Sequence, residues 1–192
     1  MAIRSAHLPE RGFGSYSPTE WRAHARRCEL RYRLVVVAPA VAEVVRHLGG
    51  WLFDMRASGW EVIVPVSDPA AVRPLEILGA TPLDLAHWPA AAVREIRPDV
   101  LAIAVDSYRA DMVPHLGGGH SETVIWGGTP PEELDRRMFP ARHRVSVAGR
   151  AFKSCAVRAS GAGSSGDGCT ETFWAGAEVT GARRLLELAP AG

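Results

Sequence analysis

The sequence predicts an α/β fold: a Rossmann-like, doubly wound, mainly parallel sheet of about five strands flanked by helices. Three observations carry this reading. Leu34 to Asp68 runs from a β-rich stretch through an amphipathic helix into a second β-rich stretch, which is a βαβ unit. Strand-like and helical stretches then alternate for about a hundred residues. The 192-residue chain is 47% apolar, enough for one packed core.

The elements follow in chain order. Residues 1 to 16 show no periodic pattern and read as an irregular arm. Ser17-Pro18-Thr19-Glu20 is a helix start, with serine as N-cap, proline at the first helical position and glutamate closing a capping box. The helix from Pro18 to about Leu30 points Trp21, Ala25 and Cys28 inward and Arg22, Arg26 and Arg27 to water. Leu34 to Val37 is a continuous apolar run, as a central strand buried on both faces requires, and Pro39 ends it. Val41, Val44, Val45, Leu48, Trp51, Leu52 and Met55 recur at steps of three and four, so they share one helix face. Gly59 supplies the C-cap, and Val62 to Val66 forms the second strand.

Gly49 and Gly50 interrupt that helix at a cost of roughly 1 kcal/mol each relative to alanine. Two reasons fit the pair: close packing of the helix backbone on the sheet, or room for a ligand near the first strand's carboxyl end.

Asp68-Pro69 opens a helix that Pro74 keeps short or broken. Thr81 to Leu85 reads as a short third strand or edge segment. Pro89 to Ile96 is helical and stops at Arg97-Pro98. Val100 to Val105 is a buried strand ending at Asp106. Tyr108 to Leu116 has a helical pattern weakened by Pro114. Thr123 to Trp126 is a strand closed by Gly127-Gly128. Pro131 to Met138 is a short helix, and Ala141 to Ala159 a longer one with Val145, Ala148, Phe152, Cys155 and Ala159 on its inward face. The expected organisation is one α/β domain over residues 1–160 with an N-terminal helical arm. A Gly/Ser linker over 161–169 and a C-terminal tail over 170–192, with a helical pattern from Thr172 to Leu188, complete it.

Composition narrows the function classes. A formal net charge of +1 gives no global electrostatic argument for nucleic acid. No apolar run is long enough to cross a membrane, and the N-terminal stretch lacks an apolar signal core. Cys28, Cys155 and Cys169 are far apart and show no CxxC spacing, so a reduced, cytoplasmic setting is expected.

In open α/β sheets ligands collect outside the carboxyl ends of the strands. That places Ala38 to Glu43, Ser67-Asp68, Asp106 to Arg109 and Gly127 to Thr129 around any site. Asp68 and Asp106 are the best-placed carboxylates, as general base, ribose contact or N-cap. No GxGxxG follows the first strand. The match at Gly161 to Gly166 follows a helix and not a strand, so it lacks the mechanical context and reads as linker. Gly117-Gly118-Gly119-His120 is either an anion-approachable backbone or a surface loop, and His115 with His120 is two histidines without a third ligand. From Arg136 to Arg158 the chain carries Arg136, Arg137, Arg142, Arg144, Arg150, Lys153 and Arg158 and no acidic residue. Such a one-sided basic helix binds anions or an acidic protein face, or is simply solvated. Its only aromatics are Phe139 and Phe152, so single-stranded nucleic acid is not the expected partner.

Val36 to Val62 resembles the opening of the PIG-L/LmbE-like zinc deacetylases, through Ala38-Pro39, the Gly49-Gly50 pair and Gly59-Trp60-Glu61-Val62. Ile96-Arg97-Pro98-Asp99-Val100 is similar to that family's Arg-Pro-Asp before a later strand. The resemblance spans about a third of the chain and implies the family's Rossmann-like fold. It does not extend to the chemistry. The position of the family's histidine ligand is Ala40, that of its catalytic aspartate is Ala42, and only Glu43 remains to meet a cation. The later His-Pro-Asp-His motif is missing, although Pro114-His115 and His120 lie in similar surroundings. The expectation is a non-catalytic, deacetylase-like fold that binds a small molecule or a protein partner, with no cofactor and no metal site predicted. The ligand-binding candidates are Ala40, Glu43, Asp68, Asp106 and His120, and the anion-binding candidates are Arg142, Arg144, Arg150 and Lys153. A metal-independent enzyme for a nucleotide, sugar or acyl substrate, and a basic-surface adaptor, are the alternatives.

Overall fold

A computed structural model describes residues 19–20, 23–24, 31–68, 71–84, 96–109, 122–135, 138–161, 168–176 and 189–190. Its strands are β1 (Arg33–Val37), β2 (Glu61–Val66), β3 (Thr81–Asp84), β4 (Val100–Ala104), β5 (Glu122–Trp126), β6 (Met138–Arg144), β7 (Thr170–Gly176) and the two-residue β8 (Ala189–Pro190). Its helices are α1 (Val41–Ala57), α2 (Arg73–Ile77), α3 (Glu132–Asp135) and α4 (Val147–Ala159). One eight-stranded sheet has the order β3-β2-β1-β4-β5-β7-β6-β8. The five strands from β3 to β5 are parallel, in register at Leu34↔Val62 and Val35↔Leu101. The chain thus winds outward from β1 in both directions, and the strand order reverses between β1 and β4.

Alternation along these strands builds two apolar layers. Leu34, Val36, Val62, Val64, Ala102 and Val124 pack with α1 residues Val44, Leu48, Trp51 and Leu52. On the other face Val35, Ile63, Leu101, Ile103 and Ile125 pack with Ile96, Tyr108 and Leu134. The expected face of α1 is the buried one. Gly59 ends it with a φ of +93°, a region that penalises a Cβ. The Gly59 and Trp60 amides donate to the Arg56 and Met55 carbonyls, which is the Schellman pattern.

The structure departs from expectation in the last third of the chain. Met138 to Arg144, read as the end of one helix and the start of another, is strand β6. Its residues alternate: Ala141 and His143 are buried, Arg142 and Arg144 exposed. The helix begins only at Val147, after Ser146, whose hydroxyl accepts the Gly149 amide as an N-cap. Thr170 to Gly176, read as part of a helical tail, is strand β7, inserted antiparallel between β5 and β6. The buried face of α4 is Gly149, Lys153, Ala156 and Val157, whereas Ala148, Phe152, Cys155 and Ala159 are exposed. The reason is the contact with α1. The two helices run antiparallel, with Gly149 beside Asp54 and Lys153 beside Gly49, so a glycine on one helix makes room for a side chain of the other. The Gly49-Gly50 pair therefore serves packing, but against α4 and Val145 and not against the sheet. A Cβ on Gly50 would lie 2.3 Å from Val145 Cγ1.

Among the described residues, no helix is long and apolar enough to cross a membrane. The expected helices over 18–30, 89–96 and 108–116 fall largely outside the described residues, as do His115, Gly117 to His120 and residues 177–188. Thr19, Glu20, Ala23 and His24 are helical.

Candidate functional site

Strand β1 ends at Val37, and three residues without a polar side chain, Ala38, Pro39 and Ala40, lead into α1. Ala40 occupies the N-cap position with extended backbone and offers no side-chain cap. Strand β2 ends one position further out, and Ser67-Asp68 follow it. These two strand ends, the start of α2 and the last turn of α4 enclose a cavity of about 460 Å³. Its walls are apolar at Val41, Val44, Val64, Val66, Pro65 and Pro74, and Ser67, Asp68, Arg73 and Ser160 supply its polar groups. Ala40 and Ala42 both line it.

Of the five predicted ligand-binding residues, Ala40 and Asp68 meet in this cavity. Glu43 lies in the first turn of α1 and is not among the cavity's walls. Its carboxylate takes Arg46 Nη1 at 3.0 Å and stands 3.3 Å from His47 Nε2. Asp106 sits in a 3-10 turn, Val105–Ser107, after β4, and does not line the cavity either. His120 lies outside the described residues. Beside Asp106, burial and then the Glu133 carboxylate push the Tyr108 hydroxyl above its ordinary pKa, so the phenol stays neutral at physiological pH.

The four anion-binding candidates do not share a face. Arg142 and Arg144 project outward from β6. Arg150 Nη1 lies 3.0 Å from Cys169 Sγ. Lys153 is buried, and its ammonium donates to Glu171 at 2.6 Å. A lysine in that position neutralises a carboxylate of its own chain and cannot reach a solvent anion.

Sequence reasoning missed the polar cluster to which Lys153 belongs. Glu171, on β7, also accepts the Gly50 and Trp51 amides of α1 at 2.9 and 2.7 Å. On β6, opposite Glu171 in register, His143 meets Asp54 at 2.8 Å. Asp54 in turn accepts the Ser146 amide and hydroxyl. The cluster ties α1, α4, β6 and β7 together with charge-assisted bonds, those to Glu171 being buried. The only local signal was the alternation Thr170-Glu171-Thr172-Phe173, which marks a half-buried strand.

Catalytic zinc requires three protein ligands and an open position. Ala40 and Ala42 present methyl groups at the cavity, and Glu43 is engaged by Arg46 and His47. Among the described residues no three His, Cys, Asp or Glu side chains come together to hold a metal ion. These residues do not fit the zinc that a deacetylase fold implies.

The sequence matches no protein-family model and no curated protein. Solved structures do match the fold. The zinc-inhibited form of teicoplanin deacetylase Orf2 superposes with a TM-score of 0.53 at 14% identity, over 74% of this chain and 97% of that one. The A40926 pseudoaglycone deacetylase Dbv21 gives 0.52 at 16%, over 76% and 97%. A deacetylase–teicoplanin complex gives 0.51 at 13%, over 75% and 98%. At such identities the likeness is one of fold. The resemblance first visible in Val36 to Val62 is thus a structural one, and the chain has the fold of the PIG-L/LmbE-like deacetylases.

Proposed function

We propose that the protein uses this deacetylase-type fold for binding and not for zinc hydrolysis. It holds a small organic molecule in the cavity outside β1 and β2. One observation carries the reading. The cavity covers the positions where the resemblance places a histidine ligand and a catalytic aspartate, and alanine methyls line it there. A concave site that combines apolar walls with polar and charged side chains suits a small organic molecule. The setting we propose is cytoplasmic, in keeping with three cysteines that lie far apart in sequence and show no CxxC spacing.

The test is a thermal-shift screen of the purified protein against nucleosides, amino sugars and divalent metals, with metal content measured in parallel. A small organic compound is expected to raise the melting temperature, and Ala71→Trp, which fills the cavity wall, to abolish that shift. Stoichiometric zinc together with acetate release from an N-acetylated sugar would sink the reading.

A protein partner is the second reading, favoured by the outer face of α4. Val147 is 75% exposed, and Phe152, stacked on Phe53, is 44% exposed. A partner that uses this face would be lost with Phe152→Asp, whereas small-molecule shifts would persist.

A further inference from the structure

We propose that the ligand of the cavity is a nucleoside, held through its ribose by Asp68; this rests on the small-molecule reading above. Asp68 stands just past the carboxyl end of β2 and lines a cavity that also reaches the end of β1 and the first turn of α1. In a βαβ unit that binds nucleotides, an acidic residue in this region takes the ribose hydroxyls. The chemistry matches. An ionised carboxylate is acceptor-only with two oxygens, and a cis-diol offers two hydroxyl donors. Ser67 and Ser160, also in the walls, add hydroxyls that donate or accept toward the sugar or the base edge. Val41, Val64 and Pro74 give the apolar surfaces on which a flat base can rest.

The same stretch argues against a dinucleotide. A pyrophosphate needs glycines after the first strand so that backbone amides can close on it. Here Ala38-Pro39-Ala40 follows β1, Pro39 has no amide hydrogen, and Cβ atoms stand where glycine would leave room. The cavity of about 460 Å³ is of single-ligand size.

The test is titration calorimetry of the full chain with adenosine, uridine and their 2′-deoxy analogues. A ribonucleoside is expected to bind, and removal of the 2′-hydroxyl to weaken binding about tenfold or more. Asp68→Asn is expected to weaken the ribonucleoside by a similar factor and the deoxynucleoside much less, since the lost bond is shared. Equal affinity for ribo and deoxy forms of the wild-type protein would overturn the ribose assignment without recourse to any variant. If no nucleoside binds but an amino sugar shifts the wild-type protein and not Ala71→Trp, the nucleoside inference falls and the cavity reading stands. If nothing shifts the wild-type protein, both fall.

Discussion

Glu171 and Lys153 show what a single residue's neighbours decide. By composition Lys153 belongs with the arginines around it, and its helix reads as one basic face. In the fold its ammonium is buried beside a carboxylate eighteen positions away. Nothing local marks that pairing, because it depends on β7 pairing beside β6 in the sheet. The two amides of α1 that also reach Glu171 are equally invisible in the sequence. A buried pair of this kind adds little over an apolar pair, but removing one partner leaves the other charged and unsolvated. Glu171→Ala is therefore expected to destabilise the protein by about 3–5 kcal/mol in urea unfolding. Lys153→Met combined with Glu171→Gln is expected to cost clearly less than the sum of the two single changes. A Glu171→Ala protein within about 1 kcal/mol of wild type would show that water reaches the pair and that burial does not govern it.

At the scale of elements, the first βαβ unit was legible and the stretch from Met138 to Ala159 was not. β1, α1 and β2 carry unambiguous periods, and α1 buries the face that its spacing selects. In Met138 to Arg144 only Ala141 to Arg144 alternates buried and exposed side chains, a period-two pattern too short to stand out inside a run that also satisfies a helical period. α4 then misleads in a second way. Ala148, Phe152, Cys155 and Ala159 were expected to point inward, but the contact with α1 turns Gly149, Lys153, Ala156 and Val157 inward instead. Gly49 and Gly50 gave the one local clue, since two glycines inside a helix are costly without a reason. Their neighbours across the contact, Lys153 and Val145, sit about a hundred positions downstream. Gly50→Ala would drive a methyl into Val145, whose Cγ1 lies 2.3 Å from the ideal Cβ position. The expected loss is about 1–3 kcal/mol, the range for overpacking, despite alanine's better helix propensity. Gly59→Ala is strained by its positive φ alone, with no atom within 4 Å of the added methyl. Comparing the two by chemical denaturation separates crowding from backbone strain: restoring space with Val145→Ala should rescue Gly50→Ala and leave Gly59→Ala unchanged. Failure of that rescue would rule out Val145 as the cause.

At the scale of the whole molecule, the five parallel strands were readable and the antiparallel extension was not. Parallel central strands are nearly continuous apolar runs, whereas β6 and β7 have one wet face and look like surface or tail. Yet β7 is not peripheral. It pairs with β6 over seven residues, from Met138↔Gly176 to Arg144↔Thr170, and with β5 at Val124↔Ala175 and Ile125↔Trp174. Phe173 is 2% exposed and packs on Trp51 of α1 with ring centroids 4.8 Å apart. A chain ending at residue 168 would lose Glu171 and Phe173 together, strip β6 of its main pairing partner and open the β5 edge. Lys153, on α4, would lose the carboxylate its ammonium donates to. Such a chain is expected to lose cooperative unfolding and to expose apolar surface, seen as dye binding with near-UV dichroism lost and far-UV signal partly kept. A shortened chain that unfolds cooperatively at the full-length midpoint would mean that the parallel half is self-sufficient and that β7 merely lies against it. The distinction bears on function, because α4 reaches the cavity only through Ala159 and Ser160 at its far end. If β7 fixes α4 by way of Glu171 and Lys153, then Glu171→Ala should also weaken ligand-induced stabilisation, although Glu171 is no part of the cavity wall. If β7 is dispensable, the two properties should vary independently.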